Sequence, residues 1–172
     1  MNTLVIIAIT LLVAYTIILC VVNKHIPDSL SQSVFFLPQS ASWIWTVVIG
    51  FVGFAVMPAI IEKTPINWQF LAFIACFGLL LVAVAPILQN KESEGGIDTS
   101  DLAYKVHMIG AFTCAICSQV LVAICQWWLL FGWIPWLAAM AYTINVNLAP
   151  WRTKVFWAEM TCFAITFAYV LI

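Results

Sequence analysis

The sequence predicts an all-α fold, a polytopic transmembrane six-helix bundle with both termini on the same, outer side. Three observations carry this. First, charged residues make up 8% of the 172 residues, hydrophobic ones make up 65%, and mean hydropathy is +1.11. A soluble domain is about 25% charged, so this chain cannot coat a water-facing surface. Second, the charges are clustered. Of six Lys and Arg and seven Asp and Glu, all but Glu159 fall at Lys24 and Asp28, at Glu62 and Lys63, from Lys91 through Lys105, or at Arg152 and Lys154. Third, the runs between these clusters are continuously apolar. A barrel strand would alternate polarity over about ten residues, and only a helix satisfies its own amides in lipid.

Each element follows from these runs, because a helix needs roughly 20 apolar residues to cross the hydrocarbon. Helix one covers 3–22. Met1-Asn2-Thr3 contains no basic residue, and the apolar run exceeds the roughly 7–15 residues of a signal-peptide core, so it reads as a retained helix. Helices two and three cover 42–61 and 66–88, with Pro58 and Pro86 expected to end or kink them. The run 106–151 has 46 uncharged residues, too many for one crossing. A tight turn near Gln126 divides it into helix four, 103–125, and helix five, 127–147. A rival turn at Gly132 and Pro135 would leave only about 14 residues, short of a span. The Gln126 turn therefore makes Pro135 a kink inside helix five, which membranes tolerate. Helix six covers 153–172. The whole chain, 1–172, is a single integral membrane domain without internal repeats.

Orientation follows from the basic residues of the short loops. Lys24, Lys91, Lys105, Arg152 and Lys154 lie on one side and only Lys63 on the other, which places both termini outside. The tryptophans match these limits. Trp43, Trp45, Trp151 and Trp157 fall near the inner interface, and Trp68, Trp127 and Trp128 near the outer one, depths that suit amphipathic rings.

The composition also limits function. A net charge of −1 gives no basic surface for nucleic acid. The six cysteines lie in or at the ends of apolar spans, so no disulfides are expected. Cys114 and Cys117 form a CxxC without a second pair or ligating histidines, and they read as small packing residues. There is no HExxH, no G-x-S-x-G and no Walker sequence. His25 and His107 are too few for bis-histidine haems, so neither metal nor cofactor is expected.

The polar stretch Gln89–Asp101 reads as a surface loop hinged at Gly95-Gly96, with Asp98, Thr99 or Ser100 capping helix four. Phe35, Phe36 and Leu37 mark loop 23–41 as interfacial or re-entrant. Gly110 with Cys114 and Ala111 with Ala115 are spaced for close helix packing, and Gln119 for a bond across helices.

Glu159 stands apart, because ionisable groups in membrane helices are costly and face a partner or a cavity. Two roles suit it: an ion pair with nearby Arg152 or Lys154, or a site carboxylate. His107 lies one turn into helix four and shares a helical face with Asp101 and Tyr104. It could relay protons, bind a headgroup or donate to a carbonyl. Asp28, Ser29, Ser31, Asp101, His107, Asn145, Asn147, Arg152 and Glu159 gather in the inner half. Such a gathering outlines a headgroup-sized pocket open to that leaflet.

Pro27-Asp28-Ser29-Leu30-Ser31 after helix one, Pro86 at the end of helix three, and His107-Met108-Ile109-Gly110-Ala111 opening helix four together resemble a known pattern. It is that of the DUF998-type bacterial six-helix membrane proteins and, distantly, of their eukaryotic relatives in the Frag1/PGAP2 group. After Ser31 the chain has Gln32-Ser33-Val34 where that family usually has aromatic or glycine residues. The resemblance covers the N-terminal two thirds. Through the eukaryotic relatives it implies a link to lipid remodelling of GPI anchors, while the bacterial members imply no established activity. Ser31 and His107 are the residues it carries over.

The expected function is that of a multi-pass membrane protein binding or modifying a lipid headgroup at the inner leaflet, with His107, Glu159 and Ser31 as candidate catalytic residues. A non-enzymatic structural or partner-binding subunit is the alternative, and a small proton-linked transporter is the second. Membrane lipids are the expected partners, and both homo- and hetero-oligomers suit such a surface. Chain size and the lack of an organelle signal point to a bacterial cytoplasmic membrane.

Overall fold

In a computed structural model that describes residues 2–31, 41–88, 102–145 and 152–172, the apolar runs fold as helices, with no strand among the described residues. These are α1 (Asn2–Asn23), α2 (Ser42–Lys63), α3 (Gln69–Val84), α4 (Leu102–Gln126), α5 (Ile134–Asn145) and α6 (Lys154–Leu171). Short 3-10 segments cover Ile66–Trp68, Ala85–Leu88 and Trp127–Trp133. Five stretches are long and apolar enough to cross a membrane: Thr3–Val22, Ser42–Lys63, Ile66–Leu88, Leu102–Ile144 and Lys154–Leu171. The expected interfacial segment Phe35–Leu37, the hinge at Gly95-Gly96 and the caps at Asp98–Ser100 lie outside the described residues.

α1 buries Val5, Ala8, Leu12, Tyr15 and Leu19, an alternating three- and four-residue spacing that makes one stripe. Its other faces expose Leu4, Ile6, Ile17 and Ile18, apolar groups that belong against lipid. Lys24 ends the helix in the left-handed conformation, φ 56°, and donates its N–H to the Val21 carbonyl at 3.3 Å. α2 runs through Pro58 to Lys63, so of the two effects expected of this proline, ending the helix does not occur. The α-helical part of α3 stops at Val84, and Pro86 falls in the next 3-10 segment.

Polar groups fix which helix ends meet. Trp45 Nε1 donates to the Val82 carbonyl at 3.2 Å, and Thr46 Oγ1 to the Ala83 carbonyl at 2.8 Å. The start of α2 therefore lies against the end of α3. At the opposite end, Gln69 Nε2 caps the last turn of α2 by donating to the Ile61 and Thr64 carbonyls at 3.1 and 3.2 Å. There the Thr64 and Tyr169 hydroxyls also bond at 3.0 Å, joining the C-terminal ends of α2 and α6.

α3 and α4 cross with backbones almost touching. A Cβ on Gly78 would sit 2.7 Å from the Cys114 nitrogen and the Gly110 oxygen, and one on Gly110 would sit 2.6 Å from the Gly78 oxygen. Only glycine on both helices permits this approach, the small-residue packing that substitutes for a hydrophobic driving force in lipid.

The helical backbone breaks at Gln126, φ −148° and ψ 61°, the position at which the sequence places a turn. Beyond it the chain departs from the expected single helix over 127–147. Trp127–Trp133 forms a 3-10 run and α5 begins only at Ile134. Pro135 therefore sits in the first turn of α5, at its junction with the 3-10 run, rather than inside a continuous helix. Packing explains the difference. Trp133 Nε1 donates to Gln119 Oε1 at 2.9 Å, and a Cβ on Gly132 would lie 2.9 Å from Ile165. The run is drawn tightly back along α4 and α6.

Candidate functional site

The site forms where the segment after α1 meets the start of α6. The opening N–H groups of a helix lack intrahelical acceptors. At α6 one of them, the Phe156 N–H, donates to the Asp28 carbonyl at 3.1 Å. That bond lays the Pro27–Ser31 segment beside the first turns of α6, where Glu159 emerges. Leu30, 1% exposed, plugs into the core, and the serines on either side turn toward the carboxylate.

Four groups then donate to Glu159. The Leu30 N–H reaches Oε2 at 2.6 Å and the Ser31 N–H reaches it at 3.3 Å. Ser29 Oγ lies 3.0 and 3.1 Å from the two oxygens, and Ser31 Oγ donates to Oε1. An ionised carboxylate offers about four lone-pair positions, and here the protein occupies them. The partners of Glu159 are thus hydroxyls and amides of the Ser29–Ser31 segment rather than Arg152 or Lys154, in place of the ion pair considered from sequence.

Ser31 and Glu159 also form one end of a cavity of about 100 Å³ between α2, α3, α4 and α6. Its walls include Val52, Val56, Leu79, Ala115, Phe163 and Phe167. Two further hydroxyls line it, but both are committed to backbone. Ser118 Oγ donates to the Ala115 carbonyl at 3.1 Å and Thr166 Oγ1 to the Cys162 carbonyl at 2.8 Å. The cavity is therefore apolar along its length and polar at one end. An apolar cavity of roughly 150 Å³ stays dry and accepts a guest the size of benzene, and this one is somewhat smaller.

His107 lies elsewhere. It is completely buried on α4, one turn before Gly110. It is not among the residues lining the cavity, and the donors to Glu159 do not include it. Of the three candidates, the fold joins Ser31 with Glu159 and leaves His107 separate. Tyr104 is half-buried on the face of His107, and Asp101 lies outside the described residues, as do Asn147 and Trp151.

Sequence reasoning missed two contributors. Ser29 counted only as an inner-side polar group, yet it shares the carboxylate with Ser31. Its signal was the Ser-Leu-Ser spacing, which sets two hydroxyls one residue apart in a turn. The other is the contribution of Cys76, Cys114 and Cys162, which line the cavity from three helices. Cys117 does not line it, so the CxxC spacing does not act as a unit. All six cysteines are free thiols, and no group of His, Cys, Asp and Glu suited to a metal occurs among the described residues.

Gln119 bonds across helices as its depth predicts. Its Nε2 donates to Thr166 Oγ1 at 3.2 Å and to the Cys162 carbonyl at 3.4 Å, while Oε1 accepts from Trp133. This network holds α4, α6 and the 3-10 run together just beside the cavity.

No protein-family model, curated protein or solved structure matches the chain.

Proposed function

We propose that this is a six-span membrane protein that binds a lipid-like amphiphile, with the polar group at Ser31 and Glu159 and only the first few carbons next to it in the cavity between α2, α3, α4 and α6. The observation that carries this reading is the one-ended polarity of the cavity. Ligand sites are concave, mostly apolar, and oriented by a few placed polar groups. The excess of loop lysine and arginine on the side of Arg152 and Lys154 puts that polar end at the inner leaflet and both termini outside. It fits a bacterial cytoplasmic membrane. The resemblance of Pro27–Ser31 to six-helix membrane families with a lipid connection agrees with this reading, and His107 then serves packing in α4 rather than chemistry.

Six spans also require residues 127–145 to cross. Seven residues of 3-10 helix and twelve of α-helix extend to about 32 Å at roughly 2.0 and 1.5 Å per residue. That is close to the roughly 30 Å of hydrocarbon.

Lipid analysis by mass spectrometry tests the binding reading. Protein purified in mild detergent should carry an amphiphile in near-stoichiometric amount, and Ala115→Phe, which fills the cavity wall, should lose it. Equal lipid content in the two proteins would instead favour a structural subunit whose polar residues only join helices.

A further inference from the structure

Resting on the amphiphile-binding reading, we infer that the Ser29–Ser31 segment is an internal competitor for the site, holding Glu159 while the cavity is empty and yielding it to a guest whose neutral head donates hydroxyl or amide hydrogens.

The contacts of Glu159 come first. Its two oxygens accept from the hydroxyls of Ser29 and Ser31 and from the N–H groups of Leu30 and Ser31. A carboxylate offers about four lone-pair positions, so a guest reaches it by exchange and not by addition. The donors in place also show what the carboxylate accepts. They are neutral hydroxyls and amides, and a guest that brings such donors leaves Glu159 as well satisfied as before. A head with acceptors alone would strand a charge inside a membrane helix, which is costly.

The segment is placed to give way. Pro27 through Leu30 belong to no helix or strand, so their movement breaks no helix hydrogen bond. Lys24, in the left-handed conformation at φ 56°, marks where the rigid part of α1 ends. Ser31 lines the cavity beside Glu159, whereas Ser29 and Leu30 are not among its lining residues. Ser31 can therefore stay at the cavity end and turn its hydroxyl from Glu159 to the guest while Ser29 and Leu30 move off. Leu30 is 1% exposed, and its withdrawal uncovers apolar surface that lipid tails cover as well as protein does. The cavity of about 100 Å³ then takes the carbons next to the head.

A site that must first release its own segment binds its guest more weakly, in proportion to the fraction of time it stands released. Loosening the segment therefore strengthens binding, the opposite of what loss of a purely structural hydrogen bond would do.

The test uses the full-length protein in phosphatidylcholine nanodiscs, with hydrogen exchange of the peptide carrying the Leu30 and Ser31 amides followed by mass spectrometry. Two isomers serve as probes. 1,2-Butanediol donates hydroxyl hydrogens, whereas 1,2-dimethoxyethane, of the same formula, only accepts. The diol should speed exchange at these amides without changing α3, and the diether should change nothing. Ser29→Ala should lower the diol concentration needed by about tenfold, because it removes one hydrogen bond to a charged group from the competitor. Ala115→Phe should abolish the response, and a retained response would overturn the part played by the cavity. Unchanged or slowed exchange with the diol, an equal response to both isomers, or a Ser29→Ala protein that needs more diol would each overturn the competition. An unmoved segment in protein that carries an amphiphile by lipid analysis would overturn it while leaving the binding reading standing. Neither a carried amphiphile nor a diol response would overturn both. The comparison of the two isomers on the wild-type protein decides the matter even if a variant fails to fold.

Discussion

At the scale of single residues, Glu159 does a job that no other charged residue does among those described. The other charges mark the limits of apolar runs, whereas Glu159 fastens the Ser29–Ser31 segment to α6 through four donors. Deleting it would leave two amides and two hydroxyls short of their acceptor in partly buried surroundings. Hydrogen bonds to a charged group are worth about 1.5–3 kcal/mol, and Glu159→Ala should lower unfolding free energy by about that amount. Ser31→Ala should cost about 1 kcal/mol. Because the two share one contact, their effects should fall short of additivity by about 0.5 kcal/mol or more. Denaturant titration of both single variants and the double variant in bicelles measures this, and strict additivity would mean the two side chains do not interact. The importance of Glu159 was legible in the sequence, since a lone charge in an apolar run demands a partner. The identity of the partner was not. Arg152 and Lys154 were near in sequence and opposite in sign, but the fold brings in a segment about 130 positions away, and nothing local encodes that meeting.

At the scale of elements, the bundle depends on contacts that only small residues allow. Gly78 and Gly110 bring α3 and α4 to backbone contact, while a Cβ on Gly50 would meet nothing within 4 Å. Gly78→Ala would force backbone apart rather than a side chain aside, and should destabilise by about 1–3 kcal/mol, the usual cost of overpacking. Gly50→Ala removes a flexible residue from a helix interior and should stabilise by up to about 1 kcal/mol. Parallel unfolding titrations separate the two, and equal effects would contradict the crossing. The packing use of Gly110 was readable from its spacing to Cys114, and α3 carries a comparable set in Ala72, Ala75, Cys76 and Gly78, from which Gly78 was not singled out. The 127–133 run was misread for a physical reason. Continuous apolar sequence in lipid specifies a helix but not its tightness, and the tightening comes from Trp133 reaching Gln119 and Gly132 fitting Ile165.

At the scale of the whole molecule, the five stretches able to cross a membrane become six spans if the chain truly reverses at Gln126. The hydrogen bond from Trp133 back to Gln119 requires a reversal within the bundle, and the reach of 127–145 lets it complete a crossing. Reporter fusions check this. Alkaline phosphatase on the C-terminus should be active and green fluorescent protein there dark, with the N-terminus on the same side. A bright C-terminal fluorescent fusion with the N-terminus still outside would put the termini on opposite sides and reduce the count to five. Sparse charge thus made a bundle of long, apolar helices able to cross a membrane readable in advance. The cavity was not readable, because it arises from walls contributed by α2, α3, α4 and α6 together.

Amphiphile binding requires that the cavity hold a guest anchored at Ser31 and Glu159. An experimental density map of the protein in nanodiscs addresses this most directly. Density should lie between α2, α3, α4 and α6, with its polar end roughly 2.7–3.2 Å, a hydrogen-bond distance, from Ser31 Oγ. A cavity closed by inward collapse of Phe163 and Phe167, with no density beside Glu159, would contradict it.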